Sequence, residues 1–594
     1  MKFNRLIYIA LVLSGVSVSS CKKDFLQRDP QTSITKPLFF LTTTDLETYT
    51  NGFYENLPTP LNDMNSDNIA THNVTVETDQ LVRGQISQDT YGGWDYDDWK
   101  KLRAINYMLS NLDQVAGTQP EIDHYVGIAR FFRAMFYFDK IKKYSNVPWY
   151  TTALEDKDPD LYKGQDPRAF VADKVLEDLQ FAADHIKASE KNTRITKWAA
   201  LTLLSRFALH EGTFRKYHSE LNLTNDYTRF LNIAVDASSK VMTEGGFIIF
   251  GNGSADYASL FNATSLSGNK EIILWKDFDP ALNVSHGASL VLNFNFALSR
   301  SLADSYLNTD GTPFTDFTKP FAHLFDNRDP RMMATINYPG WAQFGGAALN
   351  RINPTMGGYG QIKFYPSRGD LNQGYEKQYN DIPVFRLAEV LLINAEAKAE
   401  LGTINQLDLD KTVNLLRKRV GMPNMNMGVA LDPALVTLYP NATANNLSVL
   451  LEIRRERRVE LACEGLRYDD LMRWKAGKLI QNSQQGIYVP ALGAYDVTGD
   501  GVVDIAILAS VNDESPIANV PEPVKTALTK YYLKDAGGRD NTFYLSGGNS
   551  GFISFTRDRE FPRTFIEPKY YYRPIPRQQI LLNDKLKQVF GWDQ

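Results

Sequence analysis

The stretch RLAEVLLINAEAKAELG, Arg386 to Gly402, limits the folds open to this 594-residue chain more than any other segment. Its apolar residues recur with helical spacing, and Ala388, Ala395 and Ala399 fall on a packing face. Alanine there lets a neighbouring helix come close. Similar patterns predict helices over 98–115, 121–144, 167–187, 196–217, 227–243, 383–401, 408–420 and 447–476. In the first of these, Leu102, Ile105, Leu109 and Leu112 share one face, and Pro148 stops the second. Repeated helix pairs with small residues at their interfaces predict tetratricopeptide-like stacking.

Between the helical blocks lie inserts over about 58–93, 251–380 and 481–568, rich in Gly, Asn, Asp and aromatic residues. Loops this long inside a compact protein carry function or are packed by their own side chains.

The first residues, MKFNRLIYIALVLSGVSVSSC, place Lys2 and Arg5 before an apolar run from Leu6 to Val16. That run has signal-peptide length and is too short to span a bilayer. Ser19 and Ser20 precede Cys21, which resembles a bacterial lipoprotein signal in which the cysteine is acylated. A plain secretory signal with a chance cysteine is the alternative. Residues 1–20 are thus expected to be removed, and 21–36 to form a lipidated polar tether. Cys463 is the one other cysteine, so an internal disulfide is not expected. No later run is long and apolar enough for a membrane helix, so contact with the membrane is expected through lipid alone. A net charge of −5 gives no reason to expect a nucleic-acid partner.

Several segments, in order, resemble the SusD/RagB family of Bacteroidetes outer-membrane lipoproteins. They are CKKDFLQRDP from Cys21, ARFFRAMFYFDKIKKYSNVPWY from Ala129, TRITKWAALTLLSRFALHEG from Thr193, RDPRM from Arg328, and DIPVFRLAEVLLINAEAKAELG from Asp381. ERRVELACEGLRYDDLMRW, up to Trp474, and YRPIPRQQILLNDKLKQVFGW, up to Trp592, follow. The resemblance implies a mainly α fold, with helix pairs in a right-handed superhelical half packed against a loop-rich half with a few short strands. It divides the chain into an N-terminal region over 37–225 and a C-terminal region over 226–594, forming one compact unit. It implies a surface-exposed, lipid-anchored protein facing the cell exterior. Such a protein binds an oligosaccharide and passes it to a SusC-like TonB-dependent transporter.

A sugar binder needs aromatic platforms for the apolar faces of sugar rings and polar groups for the hydroxyls. GGWDYDDW offers Trp94 and Tyr96, NYPGWAQFGG offers Tyr338 and Trp341, and Arg83 and Asn350 are polar candidates nearby. The bland reading is that these aromatics pack their own loops. Trp99, Trp149, Trp198, Trp275, Trp474 and Trp592 are read as framework. DVTGDGVVD places Asp496, Thr498, Asp500, Val502 and Asp504 at positions 1, 3, 5, 7 and 9 of a calcium loop, with Gly501 at the sharp turn. Position 12 is Ile507, so the bidentate Glu is missing; a structural calcium and a hydrogen-bonded Asx turn are the two readings. No cofactor is required.

Enzyme readings find little support. HEGTF at His210 lacks the second His of a zinc HExxH, and neither a G-x-S-x-G elbow nor a phosphate-cradling glycine loop is present. The other reading is a tetratricopeptide-like interaction scaffold, or a binder of a non-glycan nutrient such as peptides.

The stretch from Arg454 to Trp474 packs charge densely. At about 100° per residue, Arg457, Glu460 and Glu464 share a face with Leu450, Ile453 and Leu461. Charges on an apolar face must pair. A buried or half-buried network of Arg457, Glu460, Glu464 and Arg467 is therefore expected, with Gly465 interrupting the helix and Cys463 off the apolar face.

Overall fold

The computed structural model describes residues 39–72, 76–292 and 296–593; the expected signal, tether and Cys21 lie outside them. The helices used below are α1 (Thr43–Asn51), α2 (Tyr96–Leu109), α3 (Gln119–Tyr144), α4 (Arg168–His185), α5 (Lys197–Tyr217), α6 (Tyr227–Glu244), α7 (Ser254–Asn262) and α8 (Arg300–Ser305). They continue with α9 (Leu387–Leu401), α10 (Gln406–Lys411), α11 (Val413–Arg419), α12 (Pro433–Leu438), α13 (Leu447–Glu460) and α14 (Arg467–Arg473). From α2 to α6 each helix packs on the next; α9 then packs on α6, and α13 on α9.

Local chemistry sets these starts and close approaches. Asp95 and Asp98 form a capping box at α2, each accepting the other's backbone N–H. At α3, Glu121 accepts from the Thr118 N–H and hydroxyl. Gly127 and Gly212 mark where helices touch. A Cβ on Gly127 would lie 2.8 Å from Ile186 Cγ1, and one on Gly212 2.9 Å from Leu231 Cδ2. Ala388, Ala395 and Ala399 are fully buried on α9, as small packing residues should be. The main apolar core draws on both ends of the chain, with Phe131, Leu201, Leu391 and Ile453 in one cluster.

Nearly all the strands lie in the inserts. β1 (Ile69–Ala70) pairs β3 (Ala297–Leu298), and β2 (Ile272–Lys276) pairs β4 (Ile382–Arg386), both antiparallel. β5 (Tyr488–Val489), β10 (Gly551–Phe555) and β9 (Phe543–Leu545) form one sheet, and β6 (Gly493–Tyr495), β7 (Ile505–Ser510) and β8 (Thr529–Lys534) another, with β7 and β8 parallel. A second apolar core, including Tyr257, Phe364, Ile505 and Ile553, fills the loop-rich half.

The structure corrects four helix limits. The 98–115 helix ends at Leu109, which leaves Leu112 beyond it. Residues 382–386 form strand β4, wholly buried against β2, before α9 begins. The 408–420 helix splits into α10 and α11 at Thr412, whose backbone leaves the helical region. The 447–476 helix is interrupted around Gly465 as expected, but it already stops at Glu460, and the restart at Arg467 ends at Arg473. In between, Cys463 and Gly465 take φ of +66° and +73°. Their N–H groups donate to the Asp63 carboxylate at 2.7 and 3.0 Å. A helical wheel does not extend past that break, so Cys463 lies fully buried in the second core rather than off the apolar face.

Of the expected charges Arg457, Glu460 and Arg467 are buried and Glu464 is half-buried, but they pair differently. Glu460 accepts from Arg331, Arg386 and Arg419, and Glu464 from Arg386 and Lys363. Arg457 instead pairs with Asp470 and Glu396, and Arg467 with Asp67. These ties join α13 to α9, α11 and the loops of the second core. Burial pushes the Glu460 and Glu464 carboxyls up, but the cations around them outweigh it and hold both below the usual range.

Candidate functional site

In the loop-rich half, residues 338–349 fold back as a hairpin-like loop with an Ala342–Leu349 bridge. Gly340 and Gly345 turn it with φ of +90° and +66°, a region glycine enters freely. The Asn350 N–H donates to the Trp341 carbonyl at 2.9 Å, closing the loop. Residues 362–367 come alongside and bring Tyr365. Its ring meets Trp341 edge-on at 5.7 Å and Phe344 at 5.5 Å. The Tyr365 hydroxyl donates to Gln343 Oε1 at 2.8 Å, and burial pushes its pKa up. Tyr338, Trp341, Phe344 and Tyr365 line an open cleft of about 490 Å³, with Asn262 and Ser367 at its edge. That volume is within the roughly 300–1,000 Å³ typical of small-molecule sites.

The sequence candidates do not converge on one place. Tyr338 and Trp341 share this cleft, but Trp94 and Tyr96 line a different one, of about 440 Å³, with Trp99, Tyr150 and Tyr162. Trp94 is only 6% exposed and packs edge-on against Tyr144 and Trp99. Tyr96, on the first turn of α2, is 72% exposed. Arg83 is not a rim group. Its buried side chain is consumed by Asp79, Asp558 and the Phe561 carbonyl. The Asn350 side chain bonds within the loop, to Gln343 and the Arg351 carbonyl. Phe344 and Tyr365 were not singled out in the sequence. Tyr365 sits in an ordinary-looking KFYPS segment, and only the fold brings it to Trp341.

A third cleft, of about 580 Å³, lies between α3, α5 and residues 464–469. Charges on its walls already pair: Lys142 with Asp469 at 2.8 Å and Lys143 with Asp139 at 3.1 Å.

At the β6–β7 turn, carboxylate oxygens of Asp496, Asp500 and Asp504 lie within 4.8 Å of one another. Asp496 accepts from the Gly499 and Gly501 N–H groups, and Asp500 from that of Val502. Asp504 accepts from the Thr498 N–H and hydroxyl. Arg351, 3.7 Å from Asp504, is the cation paired with this cluster. Three converging carboxylates with little compensating charge are the donor set a hard divalent cation takes. Ile507 is buried in β7 and supplies no ligand.

Comparison with known proteins now places the fold. A family model described as the SusD family matches residues 281–592, and one described as "Starch-binding associating with outer membrane" matches 24–209. SusD-like protein P2 of Formosa agariphila is 24% identical over 515 residues, covering 80% of this chain and 92% of that protein. A solved SusD-like protein from Bacteroides fragilis superposes with a TM-score of 0.68 at 21% identity, covering 96% of this chain and all of that one. A SusD-like carbohydrate binding protein, also from Bacteroides fragilis, gives 0.65 at 20% identity, covering 92% of this chain and all of that one. Among the described residues no helix is long and apolar enough to cross a membrane. With the family model spanning more than half of its length, the chain belongs to the SusD family.

Proposed function

We propose that this chain captures an oligosaccharide at the cell surface in the Tyr338–Trp341–Phe344–Tyr365 cleft. The carrying observation is the convergence of four aromatic side chains on one open cleft within a carbohydrate-binding family. Aromatic faces take the apolar faces of sugar rings, and Asn262 and Ser367 stand where hydroxyls would reach. The Trp94–Tyr96 cleft is the weaker candidate, because Trp94 is spent on core packing.

In this reading Cys21 carries the lipid that holds the protein to the outer membrane, facing outward. The helical half faces a SusC-like TonB-dependent transporter that receives the ligand. The protein acts by binding and hand-over and has no catalytic role. The Asp496–Asp500–Asp504 turn holds a structural calcium that stiffens the β6–β7 connection.

Affinity gel electrophoresis of the mature protein against amylopectin, laminarin, xylan and mannan tests the binding. Retardation by at least one polysaccharide is expected. Trp341→Ala should weaken it by roughly 30-fold, the effect of losing about 2 kcal/mol at a buried aromatic contact. Binding to a peptide library but to no polysaccharide would instead support the scaffold reading.

A further inference from the structure

Another cleft, of about 590 Å³, opens between α8 and α12 and shares no lining residue with the aromatic cleft. Ser299 caps α8, its hydroxyl accepting from the Leu302 N–H. The following turn sets Arg300 and Asp304 four residues apart on one face. Arg300 donates to Asp304 Oδ2 at 3.0 Å and to Gln485 Oε1 at 2.7 Å. Its guanidinium carbon sits over the Phe552 ring, 3.7 Å from the centroid, which helps to hold it in place. Both members of the pair stay partly open, with side chains 22% and 20% exposed.

Beside them Phe317 is 41% exposed at the cleft wall, its ring edge-on to Phe314 at 5.9 Å and 5.3 Å from the Arg300 guanidinium carbon. Across the cleft, Arg455 is 6% exposed and pairs with Asp432, yet its Nε has no hydrogen-bond partner among the described residues. A buried donor left unmet costs about 1–3 kcal/mol. That Nε has no access to solvent, so it belongs to the cleft wall and is not a contact offered to a ligand. The cleft holds Arg300 and Arg455 against Asp304 and Asp432, and its third carboxylate, Asp67, is neutralised from behind by Arg458 and Arg467, so the charge is balanced and favours a neutral ligand.

We infer that this cleft is a second saccharide site, taking a neutral sugar unit. Vicinal hydroxyls bridge the Arg300 donor and the Asp304 acceptor, and the apolar face of the ring lies on Phe317. The inference rests on the glycan-binding reading above. It adds that the protein holds its ligand at two places, so a polymer is gripped more tightly than a short fragment.

Saturation-transfer NMR on the mature chain tests this with maltose, laminaribiose, cellobiose, xylobiose and mannobiose as probes. At least one sugar is expected to keep part of its signal in Trp341→Ala and to lose it in Trp341→Ala/Phe317→Ala. Phe317 is exposed, so Phe317→Ala should melt like the wild type. Asp304→Asn in the Trp341→Ala background should also lower the residual signal. Signal abolished by Trp341→Ala alone, or residual signal indifferent to Phe317→Ala, overturns the second site and leaves the first standing. Signal untouched by Trp341→Ala but lost in Phe317→Ala supports the second site and contradicts the first. No transfer from any probe to the wild type contradicts both.

Discussion

Glu460 Oε1 accepts from Arg386 Nη1 at 2.7 Å, with the two side chains 0% and 1% exposed. That contact joins the end of α13 to strand β4, and so the helical half to the loop-rich half. Arg386 also donates to Glu464, which neutralises Lys363 as well. Glu464→Ala leaves Arg386 its bonds to Glu460 and Glu271 but takes from buried Lys363 its carboxylate partner, and a buried charge left unpaired costs about 3–5 kcal/mol. Glu464→Ala should therefore lower the stability measured by chemical denaturation by that amount. Glycan preference among the retained folded molecules should not change. An unaltered denaturation midpoint would count against the network.

Asp304 predicts a pH dependence. Burial pushes its carboxyl up to about 6, although Arg300, Arg328 and Arg458 oppose this. Below the unfolded value of 3.8 the group is protonated in both states. Between 3.8 and about 6 the unfolded chain gives up the proton while the folded one keeps it. Stability thus falls as pH rises through that window and is flat above it. Asp304→Asn should remove this slope and raise stability at pH 7 by about 1–2 kcal/mol, a gain at the expense of ligand contact. A lower melting temperature for the variant at pH 7 would contradict this.

Gly486 tests the packing of the inserts. A Cβ there would lie 2.0 Å from the Gly357 carbonyl oxygen and 2.4 Å from its Cα. Backbone cannot swing aside as a side-chain tip does, so Gly486→Ala must push the two segments apart. A loss of about 1–3 kcal/mol is expected. Gly92→Ala, with nothing within 4 Å of the added Cβ, should stay within about 0.5 kcal/mol of wild type in the same melts.

The turn between β6 and β7 makes a metal prediction. Calorimetric titration of calcium into chelator-treated protein should show a heat of binding that Asp500→Asn weakens. The bound ion should raise the melting temperature. Absence of any heat would leave Asp496, Asp500 and Asp504 as turn-forming residues alone.

Much of the helical half was legible because helix periodicity is local. Residues 196–217 and 227–243 each lie within a residue of the observed helices. What was not legible depends on distant partners. Strand β4 reads as the start of a helix until β2, over a hundred residues away, claims it. The break before α14 is marked in the sequence by Gly465, but the Asp63 carboxylate that holds it lies 400 residues from the Cys463 amide it binds. Arg83 looks free in the sequence, but its partner Asp558 is 475 residues on. At the candidate site, Pro and Gly flanking Trp341 marked an aromatic loop. Nothing local shows that Tyr365 completes it.

The central claim is that the Trp341 cleft binds glycan. The most direct measurement is the mobility of wild type and Trp341→Ala in native gels containing each polysaccharide, with melting curves recorded for both. Retardation of the wild type by at least one polysaccharide is predicted, clearly weakened in Trp341→Ala at an unchanged melting temperature. Equal retardation of both proteins, or of neither in any gel, would contradict it.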